Sequence, residues 1–189
     1  MTAREYVSHA REYVSHAHIV ILTGERNVGK TTVCRETVAL AQARGYTCSG
    51  VLTLSYAKDV RDVLDVRSGH VRRLTLEPDT DAPTVTLGRF RFDPETLAWG
   101  NNVLAHALPS HLFVVDELGP LEVERNEGWR VAFDLLRKTN FTLALAVVRP
   151  ELLEQVQLEL PTDSTTVLTV NKHNRDDLPA TFLEMLEGN

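Results

Sequence analysis

The feature that most constrains the fold of this chain is a glycine-bounded loop between a short apolar run and a helix-like segment. His18–Thr23 reads HIVILT, which is typical of a strand buried in a parallel sheet. Gly24–Thr31 follows directly and reads GERNVGKT, a full match to the pattern G-x-x-x-x-G-K-[ST]. Lys30–Ala43 then predicts a helix with one apolar face, and Gly45 suits its C-terminal cap. Strand, loop and helix in this order indicate a phosphate-binding loop, or P-loop.

The spacing of this loop has a geometric reason. Successive backbone N–H groups curl around a phosphate, so glycine is needed at 24 and 29, where a side chain would collide or φ becomes positive. The dipole of the following helix also favours an anion at its N-terminus. We predict that Lys30 reaches the β- and γ-phosphate oxygens and that the Thr31 hydroxyl joins a Mg²⁺ shell. The predicted nucleotide-binding residues are Gly24, Glu25, Arg26, Asn27, Val28, Gly29, Lys30, Thr31 and Thr32.

A second apolar run, His111–Val115, ends in the adjacent carboxylates Asp116 and Glu117. In P-loop proteins an aspartate at the end of such a strand binds Mg²⁺, so Asp116 is the second predicted metal ligand after Thr31. A further carboxylate at the γ-phosphate edge can orient or deprotonate a water. Glu117 therefore favours hydrolysis, because a kinase takes the attacking hydroxyl from its second substrate.

The rest of the chain continues an α/β pattern. Strands that alternate with helices predict a mostly parallel sheet with helices on both faces. The stretch 57–93 differs, since two strand-like runs joined at Ser68-Gly69 predict an antiparallel insertion. We expect the domain to span 18–189. The other predicted elements are strands at Thr47–Ser55, Asp59–Val66, His70–Leu76, Thr84–Phe92, Phe141–Val148 and Thr165–Val170, and helices at Asp93–Ala107, Glu127–Lys138, from Pro150, and at Arg175–Leu186.

The N-terminal residues 1–17 contain a perfect repeat. Arg4–Ala10 and Arg11–Ala17 both read REYVSHA. One interpretation is a helix with an apolar stripe that lies on the domain or pairs with another chain. The other is a duplication without function, whose residues fray.

Composition limits the classes of partner. The 20 Lys and Arg against 26 Asp and Glu give a formal charge of -6, and there is no basic run, so nucleic acid is not expected as a partner. No stretch approaches the 18 apolar residues of a membrane span, and the N-terminus lacks the apolar core of a signal peptide. Cys34 and Cys48 have no metal-like spacing. We therefore expect a cytoplasmic protein that is a monomer or a weak oligomer, with no membrane partner.

The sequence resembles a known family, the thermophile-type (THEP-type) P-loop nucleoside-triphosphatases. Asp116–Glu122 reads DELGPLE and is similar to the D-E-x-G-x-x-E signature of that family. The family also carries a TG-x-x-x-x-GKTT loop, a Gly-hydrophobic-x-Thr stretch after the first helix, and an N-R pair before the final helix. The corresponding residues here are Thr23–Thr32, Gly50–Thr53 and Asn174-Arg175. The resemblance runs from about Val20 to the C-terminus.

This resemblance implies a RecA-like fold and Mg²⁺-dependent hydrolysis of several nucleoside triphosphates to diphosphate and phosphate. It assigns Glu117 as the catalytic carboxylate and Glu122 as a second acid at the edge of the site. The N-terminal repeat has no counterpart in the family, and Glu25–Asn27 is more polar than the Pro-rich loops of some members. Residues 57–93 diverge, so nothing about their recognition role transfers.

Two arginines are candidates for neutralising the γ-phosphate in the transition state. Arg149 follows the strand Phe141–Val148, and Arg175 follows the strand Thr165–Val170, so both should lie where ligands gather in open α/β sheets. Each could instead be a surface arginine paired with a nearby acid, and Arg175 could stack on the base or ribose. We name Lys30, Glu117 and Arg175 as the predicted catalytic residues.

Three hypotheses for the function follow from these residues. The first is a nucleoside-triphosphatase for ATP, GTP and others. The second is a P-loop kinase or nucleotidyl transferase for a small metabolite, with the insertion forming a second pocket. The third is a non-catalytic nucleotide switch with slow hydrolysis that acts on a protein partner, and its best support is the helical N-terminal repeat. Asp116 and Glu117 favour the first. Base preference cannot be read from a loop that contacts phosphates alone.

Overall fold

The computed structural model of the protein describes residues 17–57, 59–78 and 81–188. The strands are β1 (His18–Thr23), β2 (Cys48–Ser55), β3 (Arg61–Asp65), β4 (Val71–Arg73), β5 (Val85–Leu87), β6 (Phe90–Phe92), β7 (Ser110–Leu118), β8 (Phe141–Val148) and β9 (Thr165–Thr169). The α-helices are α1 (Lys30–Ala43), α2 (Pro94–Ala105), α3 (Pro120–Val123), α4 (Val131–Lys138), α5 (Leu153–Glu159) and α6 (Leu178–Glu187). Short 3₁₀ turns lie at Pro150–Leu152 and Thr162–Ser164.

Seven of these strands form one sheet in the order β4-β3-β2-β7-β8-β1-β9. The five strands from β2 to β9 in this order pair in parallel, whereas β3 and β4 add to the β2 edge in antiparallel fashion. Strands β5 and β6 form a separate antiparallel hairpin. Because the carboxyl ends of parallel strands share one edge of a sheet, the loops after β1, β7, β8 and β9 meet there.

Helices cover both faces of the sheet. Alternate residues of β1 enter different cores: Ile19 and Ile21 face one, and Val20 and Leu22 face the other. The first core is closed by α2, α4 and α5, and the second by α1 and α6. The predicted mostly parallel sheet with helices on both faces and an antiparallel addition is therefore confirmed.

Several elements begin or end elsewhere than predicted. Thr84–Phe92 is not one strand but a hairpin that turns at Gly88 with φ +56°. The helix predicted from Glu127 begins only at Val131, because Gly128 adopts φ +59° and interrupts it. The final helix begins at Leu178, three residues later than predicted.

The predicted N-terminal helix falls on residues 1–17, of which 1–16 lie outside the described residues. None of the helices in the described part of the chain has the length and apolarity needed to cross a membrane.

Candidate functional site

The P-loop connects β1 to α1 and needs its two glycines for the reasons expected. Gly24 has φ +131°, and a Cβ atom there would lie 2.5 Å from the carbonyl oxygen of Val170. Gly29 has φ +114°, and a Cβ there would lie 3.2 Å from Cδ of Arg175. Asn27 also adopts a positive φ of +60°, a conformation that asparagine tolerates better than most residues. The loop is therefore shaped by its own backbone and by the 170–175 segment.

The Lys30 ammonium folds back into this loop. Its Nζ donates hydrogen bonds of 2.7 Å to the carbonyl oxygens of Gly24 and Glu25. Burial lowers the pKa of Lys30, and the negative charges of Glu117 and Asp116 oppose that shift. The predicted phosphate-binding lysine thus lies within electrostatic reach of both predicted carboxylates.

Asp116 ends the regular part of β7 as a buried carboxyl group that is 2% exposed. Burial raises its pKa to about 7, while a hydrogen bond from the Thr31 side chain acts in the opposite direction. The backbone N–H of Thr53 donates to Oδ2 of Asp116 over 3.3 Å, and the Thr53 hydroxyl donates to the Asp116 carbonyl. The Thr31 hydroxyl and the buried Asp116 carboxylate form a donor set that suits Mg²⁺. This ion is usually bound by one or two carboxylates together with waters and substrate phosphates.

Thr53 is a positioning residue to which the sequence assigned no role. Its strand β2 lies beside β7, and Gly50 permits this close approach, because a Cβ there would lie 1.8 Å from the carbonyl oxygen of Val114. The stretch Gly50–Thr53 therefore brings a hydroxyl and an N–H to Asp116. In the sequence, the Gly-hydrophobic-x-Thr motif was the signal for this role, because the order of the strands cannot be read from local patterns.

Glu117 is oriented by an irregularity in β7. Adjacent strand residues normally point to opposite faces, but the register of β7 against β8 shifts between Val115 and Leu118. Asp116 and Glu117 both exert their charge on Lys30. Glu117 is also paired with Arg149, whose Nε donates to Oε1 of the carboxylate.

Arg149 therefore reaches the predicted edge of the site but contacts a protein carboxylate there. It stands at the end of β8, and its side chain is 25% exposed. Burial lowers the pKa of Arg149, but the hydrogen bond and the charge of Glu117 outweigh burial and raise it overall. The paired acid is not one of the nearby surface acids considered from the sequence but Glu117 itself.

Glu122 lies behind the site as a buried side chain that is 5% exposed. Its Oε2 accepts from the Gly119 N–H and its Oε1 from the Trp129 N–H, both at 2.9 Å. Burial raises the pKa of Glu122 to about 6, and these two hydrogen bonds act against that shift. Glu122 thus joins the turn after β7 to the segment before α4. Trp129, its partner in that segment, was not expected from the sequence.

Arg175 lies on the other side of the P-loop. Its Nη1 donates to the carbonyl of Val28 over 3.4 Å, and its Nε donates to Asp176 over 3.2 Å. Asn174, beside it, donates to the Thr169 carbonyl and accepts from the Asn171 N–H. The N-R pair therefore braces the loop after β9 against the P-loop.

The structure thus brings together most of the residues that the sequence singles out. Lys30, Thr31, Asp116, Glu117 and Arg149 form one connected group of hydrogen bonds and charges. The remaining loop residues differ in exposure. Val28 and Gly24 are buried, whereas exposed positions are Glu25, Arg26, Asn27 and Thr32.

Several known proteins resemble this chain in sequence or in fold. It is 29% identical over 181 residues to nucleoside-triphosphatase THEP1 of Methanopyrus kandleri, covering 88% of this chain and 94% of that protein. It is 27% identical over 165 residues to nucleoside-triphosphatase THEP1 of Methanosarcina acetivorans, covering 85% and 91%.

A solved structure confirms the fold. The crystal structure of THEP1 from the hyperthermophile Aquifex aeolicus superposes with a TM-score of 0.69 at 17% identity, covering 89% of this chain and 99% of that chain. The P-loop fold expected from the sequence is therefore confirmed. A family model described as NTPase matches residues 19–183, a span that contains the P-loop, both strand-end carboxylates and the 170–175 segment. On this match the chain belongs to the NTPase family.

Proposed function

We propose that this protein hydrolyses nucleoside triphosphates, ATP and GTP among them, to diphosphate and phosphate with Mg²⁺ as cofactor. The observation that carries the proposal is the position of Glu117, a second carboxylate next to Asp116 and within the electrostatic reach of Lys30. A carboxylate there can serve as base for a water, which a kinase site does not need. The names of the relatives from Methanopyrus and Methanosarcina support the same activity.

The proposed reaction begins when the phosphates enter the P-loop. Lys30 then exchanges the carbonyls of Gly24 and Glu25 for β- and γ-phosphate oxygens. Glu117 accepts a proton from the attacking water, the bond from that water oxygen to the γ-phosphorus forms, and the bond to the β–γ bridging oxygen breaks. Bound Mg²⁺, held by Thr31 and Asp116, would neutralise charge on the phosphate oxygens.

The proposal is tested by phosphate release from ATP, GTP, CTP and UTP with Mg²⁺, and with EDTA in its place. We expect release from several of these nucleotides that depends on Mg²⁺. Release that begins only when a small metabolite is added would instead support the kinase or nucleotidyl transferase. Tight binding with almost no turnover would support the nucleotide switch.

We further propose a cytoplasmic location. Cys34 and Cys48 are both buried free thiols in the structure, as expected in a reducing compartment. Fractionation of cells that express the tagged protein tests this, and recovery in a membrane or secreted fraction would contradict it.

A further inference from the structure

Both cations of the site are engaged by the protein itself. Lys30 donates to two carbonyl oxygens of its own loop, and Arg149 is paired with Glu117. The candidate base Glu117 is therefore held by an arginine.

The Arg149–Glu117 pair connects neighbouring strands at the edge where the P-loop lies. Arg149 follows β8 and Glu117 belongs to β7, and these strands pair in parallel. The two side chains are 25% and 33% exposed, so the pair is open enough for a ligand to reach. Both charges act on Lys30: Glu117 raises the pKa of that lysine and Arg149 lowers it. The pair is thus part of the electrostatic environment of the P-loop lysine.

The hydrogen bond leaves much of the guanidinium free. It uses Nε of Arg149, and within the described part of the chain neither Nη group donates to a protein atom. A guanidinium offers five N–H donors in a planar fork that matches phosphate oxygens. Arg149 can therefore engage a phosphate without a new side chain entering the site.

Electrostatics favours an exchange in which Arg149 releases Glu117 and binds a phosphate. The opposite charges of Arg149 and Glu117 cancel within the pair. A γ-phosphate adds negative charge that only a triphosphate brings. The γ-phosphate then competes with Glu117 for the guanidinium of Arg149. A diphosphate lacks the γ-phosphate and does not compete.

We propose that Arg149 is a γ-phosphate sensor that binds Glu117 in the nucleotide-free site and exchanges it for the γ-phosphate when a triphosphate binds. The inference rests on the proposed nucleotide site. It makes Arg149 the residue that distinguishes triphosphate from diphosphate, and it makes Glu117 a competitor for that residue. Glu117 becomes free to meet a water only when a γ-phosphate is in place.

A double-mutant cycle in binding tests the exchange without turnover. Calorimetry measures the Kd of the Mg²⁺ complexes of the β,γ-imido analogue of ATP and of ADP for wild type, Glu117→Gln, Arg149→Gln and the double variant. Glu117→Gln should tighten the analogue by about 3- to 10-fold, the value of a partly exposed charged hydrogen bond. Arg149→Gln should weaken the analogue by roughly 10-fold or more. The Kd of ADP should change by a smaller factor than that of the analogue in each variant, since ADP brings no γ-phosphate to compete for Arg149.

The cycle separates the exchange from simple removal of a negative charge. In the Arg149→Gln background, Glu117→Gln should no longer tighten the analogue. Glu151→Gln removes another acid whose charge acts on Arg149 and should leave the ratio of the two Kd values unchanged. Equal tightening in both backgrounds would overturn the exchange. So would an equal loss of analogue and ADP affinity in Arg149→Gln, which would indicate a general or structural role.

A replacement variant and a separate assay of phosphate release complete the test. If circular dichroism shows that Arg149→Gln is unfolded, Arg149→Lys replaces it. Lysine keeps the charge without the fork, so it should lower the preference for the analogue over ADP and reduce the coupling to Glu117→Gln. Unchanged preference and coupling in this variant would reject the sensor. Phosphate release is assayed separately: a protein that shows the exchange but releases no phosphate would refute the proposed hydrolysis alone.

Discussion

Replacement of Gly128 by alanine should destabilise the protein strongly, although the residue contacts no proposed ligand. Gly128 has φ +59°, which costs an alanine about 1–2 kcal/mol. The new Cβ would also lie 2.1 Å from Oε1 of Glu122, the atom that accepts the Trp129 N–H. Glu122 is buried and must move, which breaks that hydrogen bond. A hydrogen bond to a charged group is worth about 1.5–3 kcal/mol.

Together these effects predict a loss of about 2.5–5 kcal/mol in the free energy of unfolding. For a domain of this length that corresponds to a drop in Tm of about 5–20 °C. Urea denaturation followed by circular dichroism measures the first quantity, and a thermal melt measures the second. The matched control is Gly69→Ala, because Gly69 has φ +74° and nothing lies within 4 Å of its added Cβ. It should lose only the conformational cost of about 1–2 kcal/mol.

A second background tests whether Glu122 is the cause. In Glu122→Ala the carboxylate is gone, so the further change Gly128→Ala should cost about 1–2 kcal/mol, as at Gly69. The reasoning is refuted if Gly128→Ala and Gly69→Ala destabilise equally. It is also refuted if the cost of Gly128→Ala is the same with and without the Glu122 side chain.

Three further predictions concern turnover. Lys30→Ala should abolish most phosphate release while keeping a wild-type circular dichroism spectrum. The exposed control Lys138→Ala should keep both wild-type release and that spectrum. Near wild-type release by a folded Lys30→Ala protein would contradict the P-loop assignment. Glu117→Gln should lower kcat by about 10²–10⁴-fold, and the variant should still bind nucleotide. Asp116→Asn should mainly raise the Mg²⁺ concentration needed for half-maximal rate. The same defect in both variants would make Glu117 a metal ligand. If Arg175 stabilises the transition state, Arg175→Ala should lower kcat with little change in KM. If Arg175 holds the base, the same variant should raise KM alone. Wild-type values of kcat and KM would exclude either role.

Local sequence patterns were sufficient to predict the elements that build the site. Strand β1, helix α1 and strand β8 have the predicted bounds, because apolar periodicity and glycine conformation act over a few residues. The same short-range rules placed Lys30 and Thr31 on the loop and two carboxylates at a strand end. Where a single residue changed the backbone, as Gly128 did before α4, the periodic pattern continued past the true end of the element.

The contacts between side chains of the site depend on how distant segments pack together. Arg149 and Glu117 are 32 residues apart and pair because β8 lies beside β7, a strand order that no local pattern encodes. The Thr53 anchor on Asp116 likewise depends on the pairing of β2 with β7. Periodicity sets the face on which a residue lies, but contacts between distant segments depend on strand order, register and irregularities such as the shift in β7. The residues of the site could therefore be predicted from the sequence, whereas the pairing of its candidate base with an arginine could not.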